Sequence, residues 1–238
     1  MAPDLAAALQ EPDTTWDFLR GFAAAWTSPL NHDDGCAEEE LQAAETALGL
    51  RLSEAVRRLY TLLGRRDDLT SNQDRLLAPR QLHFDEDGQA LVFRVENQGC
   101  ADWGIPVHEL HLDDPSVIYR PDAPYAAPVP WRPFLARFSL ASIEMVLSET
   151  LFNDDSLSDN QEPSETALQA LELRYTRLPI PDYPMWATPS APPVRWYTGP
   201  DVLIRNDSDA WLWVRARTSS ALDEVRRALP GDWLLAPA

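Results

Sequence analysis

The 238-residue chain contains no lysine; its twenty basic residues are all arginine. That absence removes the Walker-type phosphate loop, the pyridoxal Schiff base and the lysine nucleophile, each of which needs a primary amine in one fixed place. Cysteine is nearly absent too. Cys36 and Cys100 are too few and too far apart for a disulfide framework or a CxxC metal knuckle, so we read both as reduced, isolated thiols. No apolar run approaches the roughly 18 residues of a membrane span. The opening MAPDLAAALQEPD also lacks the basic start and apolar segment of a secretory signal. The expected address is the cytoplasm.

What is abundant is acid. Thirty-eight acidic residues against twenty basic give a formal charge of −18. Such a surface repels phosphate backbones and anionic lipid, and it steers basic proteins inward; at the least it keeps the chain soluble. Direct nucleic-acid and membrane binding are therefore disfavoured, and a basic protein partner is favoured. With 45% hydrophobic residues and nine tryptophans the chain can bury a substantial core.

Apolar periodicity organises the first half into helices. Asp13 is placed to cap a helix through Trp26, with Trp16, Leu19, Phe22, Ala23 and Trp26 on one face. Glu38, Glu39 and Glu40 occupy the first turn of a second helix, where the macrodipole favours them, and Gly49 supplies its stop. Ser53 caps a third that carries Val56, Leu59, Tyr60 and Leu63 inward to Gly64.

The period then changes to two. Gln81–Phe84 and Ala90–Glu96 flank DEDGQ, whose Asp-Gly pair favours a hairpin, and strict alternation sets Leu91, Phe93 and Val95 opposite Val92, Arg94 and Glu96. Asn97–Gly99 is a second turn, Asp102–Val107 the returning strand and Ser116–Arg120 another. After the proline-rich PDAPYAAPVPW comes a helix over Ser139–Phe152. Antiparallel strands bracketed by helices make an α+β fold over residues 1–152. Residues 153–165, NDDSLSDNQEPSE, read as an acidic linker or exposed loop. Residues 166–238 read as a smaller hairpin-plus-helix unit. In it Trp211, Trp213, Arg215 and Arg217 share one strand face, and Ser220 caps the closing helix.

Several groups invite chemistry. Glu96 and Asp102 could form a carboxylate pair, but that use needs a fixed separation and no hydrolase motif surrounds them; the alternative is a turn in which Asn97, Gln98 and Gly99 satisfy backbone groups. Cys100 has no nearby histidine and reads as packing. His108 and His111 in HELH lack the helical HExxH spacing, so no metal site is expected. Trp211 and Trp213 with Arg215 and Arg217 could stack bases, against the grain of the overall acidity. Asp85, Glu86, Asp87, Asp113 and Asp114 are turn residues or contacts to a basic partner, and Asn97 and Gln98 are the matching polar edge.

EEELQAAETALGLRLSEAVRRLYTLLG, with its E–L–AE–LG–L–L–Y–G framework, resembles the N-terminal helical signature of the SUKH superfamily, the Smi/Knr-type domains. NQDRLLAPRQL, FRVENQGCADWGI, DDPSVIYR and PWRPFLARFSLASIEMVL resemble the sheet and helix motifs of its actinobacterial members, over about Trp16–Phe152. One departure is Leu52-Ser53 where the family commonly has Leu-Pro, a change that serine's capping ability absorbs. The resemblance implies a non-enzymatic protein-binding domain without cofactor. Its expected role is an immunity protein that neutralises a toxin domain, often a nuclease, by occlusion; the alternatives are a regulatory scaffold and, from another class, an enzyme using Glu96 and Asp102.

Overall fold

The computed structural model describes residues 5–121, 129–153 and 156–235, and the chain divides into two units, Met1–Glu149 and Thr150–Ala238. Helices α1 (Leu5–Gln10) and α2 (Pro12–Trp26) open the first unit. Asp13 does not cap α2: Pro12 takes the first helical position, where a missing N–H costs nothing, and Glu11 precedes it. Trp16, Leu19, Phe22 and Ala23 of the expected stripe are buried, while Trp26 at the helix end is only half-buried. Helices α3 (Glu38–Leu48), α4 (Glu54–Leu63) and the short α5 (Asp67–Thr70) follow. Gly49 ends α3 in the left-handed region at φ 69°, and the Ser53 hydroxyl accepts the Val56 N–H at 3.4 Å to start α4.

Six antiparallel strands come next: β1 (Asp74–Leu76), β2 (His83–Phe84), β3 (Ala90–Glu96), β4 (Ala101–Pro106), β5 (Val117–Pro121) and β6 (Arg132–Leu135). They run β1-β3-β4-β5-β6, with β2 also on β3. Helix α6 (Phe138–Leu151) follows. Residues 122–128, most of the proline-rich segment, lie outside the described residues.

Strict alternation along β3 fails at one place. Pairing with β4 shifts register between Val92 and Arg94, so Phe93 is a bulge that resets the count. Leu91 stands opposite Ile105, and Arg94 opposite Trp103. Residues directly opposite share a face. The inner face therefore carries Leu91, Arg94 and Glu96 with Trp103, Ile105 and Tyr119, all buried. Phe93 meets Phe138 of α6 edge-on at 4.9 Å. Val92 and Val95 fall on the outer face, reversing the expected side of Val95, Arg94 and Glu96.

The second unit holds a five-stranded antiparallel sheet where a hairpin was expected: β7 (Ser158–Gln161), β8 (Thr176–Arg177), β9 (Arg195–Gly199), β10 (Val202–Asp207) and β11 (Trp211–Ala216), in the order β7-β11-β10-β9-β8. Helix α7 (Glu165–Arg174) lies between β7 and β8 in sequence, and α8 (Ser219–Ala228) closes the unit. Strand β7 falls inside the stretch read as a linker. Its polarity is deceptive, because the buried Asp159 carboxylate takes the Arg226 guanidinium at 2.7 Å and the Leu235 N–H at 2.9 Å. Thr218, not Ser220, caps α8. Tyr197, Val202, Ile204, Leu212 and Val214 pack against Leu171, Leu222, Val225, Leu229 and Trp233 to form this unit's core.

Candidate functional site

The outer face of the first sheet carries the most elaborate cluster of polar and aromatic groups near the singled-out residues. Asp102 stands opposite Val95 and Arg120, and Gly104 opposite Val92 and Ile118, so these share that face. Trp131, just before β6, reaches across to Gly104. A Cβ there would lie 3.2 Å from the Trp131 Cη2 and 2.9 Å from the Ala90 Cβ, so the strand glycine makes room for the indole. The Trp131 indole N–H donates to Asp85 Oδ2 at 2.9 Å, and the Arg120 guanidinium stacks 4.7 Å above the Trp131 ring. Arg120 also donates to Asp85 Oδ2 at 3.3 Å and pairs with Asp102 at 3.6 Å.

Asp85 is thus spent on the fold. Its Oδ1 accepts the Gln89 and Ala90 N–H groups at 2.6 and 2.8 Å, and the side chain is inaccessible. Burial pushes its carboxyl pKa up, but the hydrogen bonds from Trp131, Ala90 and Gln89 and the charge of Arg120 outweigh it and hold the pKa below the usual aspartate range. It cannot serve as a partner contact. Asp114 is also committed, since it accepts both the N–H and the hydroxyl of Ser139 at 2.8 and 2.6 Å beside the start of α6.

The other predicted contacts remain on the surface but in separate places. Glu86 and Asp87 lie in the β2–β3 turn, and Asp113 in the loop before β5. Because β3 and β4 are antiparallel and the Val107 N–H bonds the Gln89 carbonyl at 2.9 Å, both segments sit at the same end of the sheet. Asn97 and Gln98 sit at the opposite end, in the turn closed by the Gly99 N–H to the Glu96 carbonyl at 2.9 Å.

That turn answers the carboxylate question. Glu96 is buried and accepts the Gln98 and Cys100 N–H groups at 2.8 and 3.0 Å, so it organises the turn. Glu96 stands opposite Asp74 and Asp102 opposite Val95, which puts the two carboxyls on opposite faces. They do not converge on one site. His108 and His111 are exposed, and among the described residues no group of histidine, cysteine and carboxylate side chains could hold a metal ion. Neither Cys36 nor Cys100 is in a disulfide; burial raises the Cys36 pKa, which suits packing and not nucleophilic work. The tryptophan platform is engaged as well: Trp213 packs on Phe152 at 4.8 Å, and Arg217 pairs with Asp201 at 2.9 Å.

One cluster escaped the sequence reading. Arg94, buried on the inner face, donates to Glu144 at 2.9 Å, Asp74 at 2.9 Å and Glu149 at 2.8 Å, and its guanidinium lies 4.7 Å over the Trp103 ring. Glu149 also accepts the Asn72 and Gln73 N–H groups at 2.8 and 2.7 Å. Burial alone disfavours the charged guanidinium; the three carboxylates outweigh it and hold its pKa above the ordinary arginine value. The signal was Glu144 and Glu149, the only charged residues of a helix that otherwise carries apolar and small hydroxyl side chains, which call for an inward cation.

No protein-family model, curated protein or solved structure matches this chain. No helix among the described residues is long and apolar enough to cross a membrane.

Proposed function

We propose that the chain is a non-enzymatic, cytoplasmic protein-binding domain of the Smi/Knr immunity type, which neutralises a basic, nuclease-like toxin domain by covering its substrate groove. The observation that carries this reading is the acid at one end of the first sheet. Glu86, Asp87 and Asp113 are exposed there and make no ion pair among the described residues. They belong to a unit with 25 acidic residues and 12 arginines. The carboxylates of Asp85, Glu96, Glu144 and Glu149 are engaged by arginine or by backbone N–H groups, which supports a non-catalytic reading. A groove built for a polyanion is basic, so an acidic end that matches it in charge speeds encounter and blocks entry without any catalytic group. The resemblance to Smi/Knr-type domains supplies the toxin class.

The test starts with affinity capture from native lysate at low and high salt, with bound proteins identified by mass spectrometry, followed by an activity assay on the captured protein. The expected result is one basic toxin domain, held through high salt and inhibited stoichiometrically. Reversing charge at Glu86, Asp87 and Asp113 together is expected to weaken inhibition by about tenfold or more. Recovery of only heterogeneous, salt-labile proteins would sink the reading and return the acid to a role in solubility.

A further inference from the structure

We propose that a cleft in the second unit is a further contact point for the partner, taking a basic side chain and its apolar neighbour from an extended segment of that protein; this rests on the protein-binding reading above. The cleft encloses about 510 Å³ between α7 and the strands β9 and β10. One wall is a helical stripe. Glu165, Leu168, Gln169, Glu172 and Leu173 follow the i, i+3, i+4, i+7, i+8 spacing of a single helix face, while Ala167 and Leu171 point to the core. Leu173 is 84% exposed, the most exposed large apolar side chain among the described residues. Leu168 is half-buried against the unit's core, so Leu173 is the apolar side chain of this face that the core leaves uncovered, between the exposed Gln169 and Glu172.

The opposite wall decides the charge of the guest. Arg195, Asn206 and Asp209 complete the lining, so the cleft holds three carboxylates and one arginine. The arginine is already committed: Arg195 pairs with Asp209 and stands 3.6 Å from Glu172. Glu172 also accepts the Tyr197 hydroxyl. A negative surplus therefore faces the opening. Asp209 is held there by a two-residue turn in which both Ser208 and Asp209 adopt φ of 60°, a left-handed conformation that non-glycine residues avoid. Asn206 fixes it further, donating its side-chain amide to Asp209 at 2.7 Å. A lysine or arginine can lay its aliphatic stem along Leu168 and set its charge between Glu165, Glu172 and Asp209, with an adjacent apolar residue on Leu173.

The probe is a labelled peptide of alternating lysine and leucine, titrated into the full-length chain and read by fluorescence anisotropy and by backbone amide shifts. Controls are a lysine–glycine peptide of equal charge and a glutamate–leucine peptide. Binding by the lysine–leucine peptide is expected to exceed that of both, with shifts at Leu168, Gln169, Glu172 and Leu173. Leu173→Arg, at a position too exposed to disturb folding, is expected to weaken it about tenfold. Leu234→Arg, at a residue 63% exposed away from the cleft, is expected to leave it unchanged. Equal binding by the lysine–glycine peptide, unchanged affinity in Leu173→Arg, or shifts confined to Glu86, Asp87 and Asp113 would each overturn the cleft proposal. A toxin that Leu173→Arg inhibits as well as the parent does would remove the cleft and leave the neutralising role standing. A cleft that binds the peptide in a protein with no toxin partner would do the reverse.

Discussion

The two units close their sheets by different means. Beneath the first sheet the centre is ionic, with Arg94 among Asp74, Glu144 and Glu149 on a buried face. Beneath the second it is aliphatic and aromatic, with Ile204, Leu212 and Val214 against Leu171, Leu222 and Val225. The charged residues divide unevenly as well: the first unit has 25 acidic residues and 12 arginines, the second 13 and 8. Dispersion and water release have no preferred direction, so an apolar core tolerates small shifts of its parts. A buried guanidinium that must meet three carboxylates admits one arrangement of strand and helix. The ionic centre is therefore expected to fix register at the bulge more than to add net stability, because desolvation offsets most of the attraction.

Removing Arg94 is the most severe way to break this contrast. Arg94→Ala leaves carboxylates buried without their cation, and a loss of about 4 kcal/mol is expected in urea denaturation. Hydrogen exchange should quicken first in β1, β3, β4 and α6. Exchange that quickens equally in β9–β11 would mean that the units do not differ in this way. The counterpart in the second unit is Leu212→Ala, where a cavity in an apolar core is expected to cost about 3 kcal/mol. That loss should vary little with pH, because no charge is lost with the side chain.

A smaller effect separates the outer face from the inner one. Asp85→Asn keeps the shape but loses charge-assisted bonds to Trp131, Arg120 and two backbone N–H groups, for a cost of about 2 kcal/mol near neutrality. Since the folded-state pKa of Asp85 is depressed, its contribution is full above the unfolded value of 3.8 and is lost as pH falls through the folded value. The variant should lack that part of the acid limb, and parent and variant should converge in stability at the lowest pH. An acid limb of the same steepness in both would show that Asp85 does not hold the face together.

Helices α2, α3 and α4, the β2–β3 and β3–β4 hairpins and α6 were legible because local signals agree with the fold: Gly49 and Ser53 bound their helices, and Asp87-Gly88 turns the chain. The bulge at Phe93 was not, since a one-residue insertion leaves no mark in composition and flips every later residue. β7 was hidden for a related reason. Its buried residues are Asp159 and Gln161, so a polar sequence concealed a strand whose charge is answered from α8. For the site, exposure of Glu86, Asp87 and Asp113 followed from turn chemistry. The inward commitment of Asp85 depends on Arg120 and Trp131, partners 35 and 46 residues away, which no local pattern announces. Gly104 was the one visible hint, a glycine inside a strand that something must approach.

The smallest predicted effect concerns the turn between β10 and β11, and there the sign matters more than the size. Ser208 and Asp209 both hold φ of 60°, and the Ala210 N–H closes the turn on the Asp207 carbonyl at 2.9 Å. If the strain serves only to reverse the chain, glycine at either position should help. The two residues differ in what their side chains do. The Ser208 hydroxyl is buried without a partner, so Ser208→Gly relieves backbone strain and removes an unsatisfied group, against the entropy cost of an added glycine. A net gain of about 0.5–1 kcal/mol is expected in thermal denaturation. The Asp209 carboxylate instead holds Arg195 and Asn206, so Asp209→Gly should lose more than it relieves and should also weaken the lysine–leucine peptide. Gains at both positions would mean that the turn is merely tolerated; opposite signs would mean that its conformation is kept because it aims a charge into the cleft.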